Sequence, residues 1–304
     1  SRYGSTPMVG MGSSVDSAGD VYTGKLANGG ERLTLLNAAG DVLQEFNYND
    51  DFPWPKRADG NGSSLEIIDV TANYNEPANW KNSIVYGGSP SEVGKEHPRQ
   101  IVINEVLANS VEPYFDTVEL LNSSNTTQDV SLWMLSDSTG DPFKFQFPED
   151  VSILAGGHLV FDERDFRENG RNNSNNLQLS RFGDQLTLIS ADTKGRPYQF
   201  IDTVQFAATL PDVSLGRLPL GDLSSGLVPQ ACPTLGQNNL GHRAGEVVIS
   251  EIHYHPPDDA RAELKFIELY NATNISIDLD TWRVDGAVKY DLFPTLQLLP
   301  GSTV

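Results

Sequence analysis

The chain has 304 residues, 38% hydrophobic and 9% aromatic, which is a composition of folded proteins rather than of disordered ones. Its 41 acidic residues outnumber the 21 basic ones, and the formal net charge of −20 repels phosphate backbones and anionic lipid headgroups. We therefore expect neither binding to nucleic acid nor insertion into a membrane. Cys232 is the single cysteine, which excludes an intrachain disulfide, and no apolar run reaches the roughly 18 residues of a membrane-spanning helix.

Short strand-like runs follow one another along the chain. Most alternate apolar and polar residues, are rich in β-branched and aromatic side chains, and end at Gly, Asn, Asp or Pro. Turn signals indicate hairpins, and no segment has the pattern of an amphipathic helix of about a dozen residues. We therefore predict an all-β chain of antiparallel two-sheet sandwiches. The predicted strands are 32–36, 42–48, 100–106, 115–122, 132–135, 143–147, 158–161, 185–189 and 203–206.

One part of the sequence recurs near its end. The recurring features, in the same order, are IVINEV at 101–106 and VVISEI at 247–252, TVELLN at 117–122 and FIELYN at 266–271, and Trp133 and Trp282. A different part recurs near the beginning, where GERLTLL at 30–36 matches GDQLTLI at 183–189. These matches indicate a repeated unit of roughly 140 residues.

The repeats divide the chain into three parts. We assign residues 1–95 to the C-terminal half of one unit, 98–238 to a complete unit and 246–304 to the N-terminal half of a third. Segments rich in Gly, Pro and Asn at 87–94 and 233–241 are interpreted as linkers.

Both ends of the chain indicate that it is a fragment of a larger protein. It has no initiating Met and stops within a strand-like pattern. One hypothesis is that the two half units complement each other, within one chain or between chains. The alternative, which the sequence favours, is that the remainder of each unit lies elsewhere in the parent protein.

The order of motifs in the complete unit resembles the lamin tail domain. The motifs are INEV at 103–106, VELLN at 118–122, VSLW at 130–133, LAGG at 154–157 and GDQLTL at 183–188. The resemblance implies an immunoglobulin-like β-sandwich and a non-catalytic module for interaction, display or spacing. No heptad coiled coil precedes any unit, so the chain is more similar to bacterial exported versions than to nuclear lamins.

Four glutamates occupy repeated positions: Glu105, Glu119, Glu251 and Glu268. Paired carboxylates suit glycosidic acid–base chemistry when they lie about 5–9 Å apart, and they also bind cations. The interpretation that we favour is structural, because residues that recur with a motif usually serve the fold. A cation site is retained as the alternative, and catalysis is the least favoured.

Two further groups invite a ligand. His253 and His255 would share one face of a strand, a spacing that can hold a metal, and Asp258, Asp259 and Glu263 follow. Trp54 lies between two prolines and is expected to be the exposed tryptophan, available to stack on a sugar ring, although packing onto the sandwich is the favoured alternative.

We therefore expect a non-catalytic structural or interaction module, an adhesion or spacer segment of an exported bacterial protein. Its partners would be other protein domains or extracellular polymers. The alternative is a carbohydrate- or calcium-binding accessory module attached to an enzyme elsewhere in the parent protein. We predict no cofactor, and calcium is the ion that the acidic surface would accommodate.

Overall fold

The computed structural model consists of strands joined by short turns and loops. It describes residues 14–15, 21–22, 26–90, 100–138, 140–168, 176–218, 226–243, 245–255, 265–286, 288–292 and 296–304. The chain divides into two compact units, Ser1–Leu240 and Gly241–Val304. Within the described ranges, no helix combines the length and the apolar character needed to cross a bilayer.

The N-terminal segment of the first unit contains three antiparallel strand pairs. The strands are β1 (Ser14–Val15), β2 (Val21–Tyr22), β3 (Glu31–Leu36), β4 (Val42–Tyr48), β5 (Leu65–Ile67) and β6 (Trp80–Asn82), paired in that order, with 3-10 turns at Lys56–Ala58 and Pro77–Asn79. The β3–β4 turn is fixed by Asn37, whose Oδ1 accepts hydrogen bonds from the amides of Ala39 and Asp41, both at 2.9 Å. Such an Asx turn explains why the predicted hairpin forms here.

The rest of the first unit is a complete two-sheet sandwich. Its elements are β7 (Ile101–Leu107), β8 (Thr117–Asn122), β9 (Gln128–Asp129), β10 (Met134–Ser136), β11 (Phe145–Gln146), β12 (Ser152–Ile153), β13 (His158–Asp162), α1 (Glu163–Glu168), β14 (Gly183–Ala191), β15 (Pro197–Ala207), β16 (Leu215–Gly216) and β17 (Val228–Pro229). One sheet has the order β13-β8-β7-β16-β17 and the other β11-β10-β14-β15. We call this sandwich the central domain.

The core of the central domain lies between these two sheets. Inward side chains from alternate positions of both sheets pack into one cluster, as expected for an aligned sandwich. Its fully buried members include Ile103 and Leu120 from one sheet, Leu186 and Leu188 from the other, and Phe145. Side chains at successive strand positions thus point alternately into the core and away from it.

The second unit contains three antiparallel pairs. Its strands are β18 (Val247–His253), β19 (Phe266–Asn271), β20 (Ile277–Asp278), β21 (Arg283–Val284), β22 (Tyr290–Asp291) and β23 (Gln297–Leu298), paired β18-β19, β20-β23 and β21-β22. A small core of Ile277, Leu279 and Leu298 holds them together.

The second unit shares local geometry with the central domain. In β7–β8, Glu105 lies opposite Glu119 after a register shift, and in β18–β19 Glu251 lies opposite Glu268 after the same shift. Leu132 and Thr281, each one residue before a matching Trp, both have positive φ, at 62° and 67°. This backbone region is uncommon for residues other than glycine, so its occurrence at matching positions is a specific likeness.

Matching asparagines also make the same bonds. Asn122 Nδ2 donates to the carbonyls of Thr126 at 2.7 Å and Ile153 at 2.9 Å. Asn271 Nδ2 donates to Ile275 and Leu298, both at 2.8 Å. Both asparagines are fully buried, and each one uses its amide group to satisfy backbone carbonyls after the strand on which it lies.

The predicted all-β, immunoglobulin-like class is confirmed. The strand at 42–48 has the predicted bounds, whereas β15 runs from Pro197 to Ala207 instead of 203–206. The six-residue α1 was not predicted, because it is too short for an amphipathic pattern. Residues 91–94 of the first predicted linker lie outside the described residues.

Candidate functional site: buried carboxylates and a covered sheet edge

Glu105 and Glu119 face each other across β7 and β8 in the central domain. Neither side chain is accessible to solvent. Glu105 accepts two hydrogen bonds from Thr234, from the backbone amide at 2.9 Å and from the hydroxyl at 2.6 Å. A single residue near the C-terminal end of the domain therefore donates a hydrogen bond to each oxygen of this carboxylate.

Glu119 has its own set of donors. Oε1 accepts a bond from Asn104 Nδ2 at 2.6 Å, and Oε2 accepts one from the backbone amide of Gly236. Burial raises the pKa of Glu119 to about 7, and the neighbouring Glu105 charge acts in the same direction, while the two hydrogen bonds oppose the rise. Glu119 is therefore substantially protonated near neutral pH, which limits the repulsion between the two carboxyl groups.

His158 lies beside this pair on β13. Its Nε2 is 3.9 Å from Glu119 Oε1, which is too long for a hydrogen bond. Burial lowers the pKa of His158, with Glu105 acting in the opposite direction. The ring is therefore neutral at physiological pH, since even an ordinary histidine is mostly uncharged there.

Residues 234–239 form what we call the clasp, because they close over β7 and β8. Besides the bonds from Thr234 and Gly236, Asn239 Oδ1 accepts from Asn104 Nδ2 at 2.9 Å, and Asn239 Nδ2 donates to the carbonyl of Arg217 at 2.7 Å. The segment 233–241 was predicted to be a linker. That prediction is wrong for 234–239, because these residues complete the sandwich by satisfying its buried polar groups.

A buried ion pair joins the two sheets next to the clasp. Arg217 Nη2 donates to Asp202 Oδ2 at 2.7 Å, and the same oxygen accepts from the amide of Ile103 at 2.9 Å. Arg217 Nε donates to the carbonyl of Ile103 at 2.8 Å. Sequence analysis did not identify this pair, because the two charges, Asp202 in β15 and Arg217 directly after β16, are 15 residues apart in the sequence.

This arrangement binds the protein to itself rather than to a substrate. The Glu105 and Glu119 oxygens are buried and occupied by donors from the same chain, which agrees with the structural interpretation of these residues. A general acid or base must reach its substrate, and these carboxyl groups have no exposed surface.

The matching glutamates in the second unit are more accessible. Glu251 is exposed, and Glu268 is half-buried and accepts a bond from Ser250 Oγ at 2.6 Å. The His253 ring packs 5.5 Å from Phe266, and the His255 ring lies 6.3 Å from Tyr254. Asp258, Asp259 and Glu263 lie outside the described residues.

No three His, Cys, Asp or Glu side chains come together as a metal site anywhere in the described ranges. Metal binding by Glu105, Glu119, Glu251, Glu268, His253 and His255 stays a prediction.

Trp54 is buried, which agrees with the favoured interpretation that it packs onto the protein and not with the alternative that it is exposed. Only 8% of the residue is accessible, because its ring packs 6.1 Å from Trp80. Trp80 in turn contacts Phe46 and Tyr74, with ring centroids 5.4 and 5.7 Å away. This aromatic cluster stabilises the N-terminal segment and leaves Trp54 without an open face for a sugar.

The open edge of β15 is covered by the N-terminal segment. Residues 84–86 pair with it in an antiparallel bridge: the Tyr86 amide donates to the Tyr198 carbonyl, and the Phe200 amide donates to the Ile84 carbonyl, both at 2.8 Å. The Tyr86 ring packs 5.7 Å from the Phe200 ring. The central sheet is thus extended by a segment that precedes it in the sequence.

An arginine reinforces this contact. The Arg57 guanidinium lies 3.9 Å from the centre of the Phe200 ring, a cation–π distance. Its Nε donates to Ser63 Oγ at 2.7 Å and its Nη2 to the Ser83 carbonyl at 3.0 Å. Burial lowers the pKa of Arg57, but a guanidinium stays charged at any physiological pH.

Comparison with known proteins agrees with the fold. The family model for the lamin tail domain matches residues 95–207 and 241–304, which together make up more than half of the chain. No curated protein matches the chain significantly. Lamin tail domains are a non-enzymatic family of immunoglobulin-like domains. The chain belongs to the lamin tail domain family.

Proposed function

We propose that this chain is an adhesion or spacer module of a larger exported bacterial protein, and that it binds other protein domains or extracellular polymers. In this proposal residues 1–95 contain the C-terminal half of a lamin tail unit, 98–238 a complete unit and 246–304 the N-terminal half of another. The shared register of β7–β8 and β18–β19, the matching asparagines and the matching positive φ angles support this division.

The observation that carries the proposal is the pairing of residues 84–86 with β15. Addition of a strand to a sheet edge is a common way for one protein segment to recognise another, with main-chain bonds for affinity and side-chain contacts for specificity. Here the main-chain bonds join Tyr86 and Phe200 to their partners, and Arg57 supplies a side-chain contact. Such a joint fixes a preceding segment to the next domain, as a spacer requires.

Hydrogen exchange on the 304-residue chain tests this joint. We expect the amides of Tyr86 and Phe200 to be protected, and the double substitution Arg57→Ala, Tyr86→Ala to remove that protection at Phe200 while the amide of Leu120 stays protected. Arg32→Ala is the matched control, because Arg32 is exposed and its ion pair with Glu45, at 3.9 Å, lies on the surface and should contribute little to stability. Exchange of Phe200 at the open-chain rate in the unmodified protein would refute the proposal.

Ligand binding is tested separately by calorimetric titration with CaCl2 and by a glycan array. No heat and no retained glycan are expected, whereas micromolar binding of either would support the accessory-module alternative. Protease treatment of intact source cells, followed by immunoblotting, tests surface location: cleavage of the chain is expected, and full protection would contradict export to the surface.

A further inference from the structure

A polar pocket lies where the N-terminal segment meets the central domain, within the first compact unit. The N-terminal segment contributes Lys56, Arg57 and Asn82 to its lining, and the central domain contributes Gln185 and Thr187. The pocket has a volume of 250 Å³, against about 30 Å³ for one water molecule in the liquid. This space holds a side chain and its backbone amide. We call it the joint pocket.

The joint pocket is cationic, although the whole chain has a formal net charge of −20. Among the described residues that line it, two are cations and none carries a carboxylate. Neither Lys56 nor Arg57 has a carboxylate of the described residues within 4.0 Å as an ion-pair partner. Lys56 Nζ donates instead to the backbone carbonyl of Asp50, at 3.2 Å. The pocket therefore holds two positive charges that no described carboxylate neutralises.

Arg57 is the more buried of these two cations. Its guanidinium has more N–H donors than it uses: Nε donates to Ser63 Oγ and Nη2 to the Ser83 carbonyl. Within the described part of the chain, its Nη1 has no hydrogen-bond partner. The Phe200 ring lies against the guanidinium at 3.9 Å and keeps water from that side. A partly buried charge without a counter-ion is costly, so a bond to an anion is favoured here.

The joint pocket also contains an acceptor without a donor. Asn82 Oδ1 is buried and has no hydrogen-bond partner among the described residues. Buried polar atoms nearly always have a partner, so this exception needs an explanation. The last side-chain torsion of an asparagine is soft, so the Asn82 amide can turn to meet a donor in the pocket. A ligand that satisfies the pocket therefore carries an N–H or O–H donor as well as a negative charge.

The aromatic rings of the joint pocket are already in contact with the protein. Phe200 packs against the Arg57 guanidinium and, at 5.7 Å, against the Tyr86 ring. The backbone of Gly62 lies against the Tyr86 ring as well, because a Cβ built on this glycine would collide with it. Stacking on a sugar requires an open aromatic face. These contacts therefore favour a peptide carboxylate over an acidic sugar as the ligand.

We propose that the joint pocket binds an acidic side chain, Asp or Glu, of a partner protein. The carboxylate accepts bonds from Arg57 and Lys56, and a backbone N–H of the bound peptide donates to Asn82. This inference rests on the proposed function, since it names the kind of segment that a module for binding other protein domains recognises. The net charge of the chain does not prevent it. At physiological ionic strength charges are screened beyond about 8 Å, so the cations of the pocket set the potential that a ligand meets.

Titration of the 304-residue chain with the peptide acetyl-Gly-Asp-Gly-amide, followed by NMR, gives the first test. We expect the peptide to shift the side-chain amide signals of Asn82, and its uncharged match acetyl-Gly-Asn-Gly-amide to leave them in place. Lys56→Ala should weaken binding about tenfold, because it removes a bond to a charged group. Lys194→Ala is the matched control and should change nothing, because Lys194 is exposed and does not line the pocket. Equal binding of the two peptides, no shift at millimolar peptide, or equal effects of the two substitutions overturns the proposal.

Two further measurements separate the ligand classes and the two proposals. Galacturonate in place of the peptide tests an acidic sugar, and tighter binding of galacturonate than of the Asp peptide overturns the assignment to a protein partner. Hydrogen exchange at the Phe200 amide reports whether the joint is formed, and Lys56→Ala should leave its protection unchanged. A protected Phe200 without peptide binding overturns this inference alone. Exchange of Phe200 at the open-chain rate overturns the proposed function and this inference with it.

Discussion

The buried Glu119 carboxyl makes the stability of the central domain depend on pH. Its pKa is about 7 in the folded protein, mainly because of burial, and 4.5 is the ordinary value. Between these values the folded state binds more protons than the unfolded state, so the free energy of unfolding falls as the pH rises. The contribution of Glu119 is complete below pH 4.5 and is lost by about pH 7. At about 1.4 kcal/mol per pH unit, the loss reaches at most about 3 kcal/mol.

Urea unfolding at pH 4.5 to 8, monitored by tryptophan fluorescence, measures this loss. Glu119→Gln cannot ionise, so the difference in stability between the unmodified protein and this variant should change by up to about 3 kcal/mol across that range. Glu149→Gln is the control, because Glu149 is exposed, and its difference should stay constant. A constant difference for Glu119→Gln as well would show that the carboxyl ionises normally, and the account of the buried pair would be wrong.

Three further substitutions test individual contacts in the central domain by urea unfolding. Asp202→Ala leaves Arg217 buried without its partner and should lower the free energy of unfolding by about 3–5 kcal/mol. The double variant Asp202→Gln, Arg217→Ile should recover most of this loss, because no unpaired charge stays buried. An equal loss of stability in the single and the double variant would argue against the ion pair. Asn122→Ala removes the Nδ2 bonds to the carbonyls of Thr126, Ile153 and Leu154 and should cost about 2–4 kcal/mol. A cost below about 1 kcal/mol would contradict that role. Leu132→Gly relieves the strain of a positive φ of 62° but raises the conformational entropy of the unfolded chain. The two effects oppose each other, so the free energy of unfolding should fall by less than about 1 kcal/mol. A larger fall would mean that the contacts of the Leu132 side chain matter more than the backbone strain.

The sequence predicts local features of this fold well, because they depend on neighbours in the chain. The alternation in β4 and the Asn37 turn fix a hairpin without help from distant residues. The repeated motifs also single out Glu105 and Glu119, and the structure repeats their cross-strand register at Glu251 and Glu268.

Contacts between distant residues are not predicted by such patterns. Thr234 reaches Glu105 across 129 residues of sequence, and its Gly- and Asn-rich surroundings have the composition of a linker. Trp54 between its prolines likewise resembles an exposed loop residue, yet the distant Trp80 buries it. In both cases the partner, and not the local composition, decides the role of the residue.

The pairing of residues 84–86 with β15 has a consequence for the order in which the chain is made. Synthesis proceeds from the N-terminus, so the covering segment leaves the ribosome more than 100 residues before β15 does. An uncovered edge strand is a template for pairing with other chains, and partly made domains are most vulnerable to such errors. Because its cover is already present, the β15 edge can be closed as soon as it emerges.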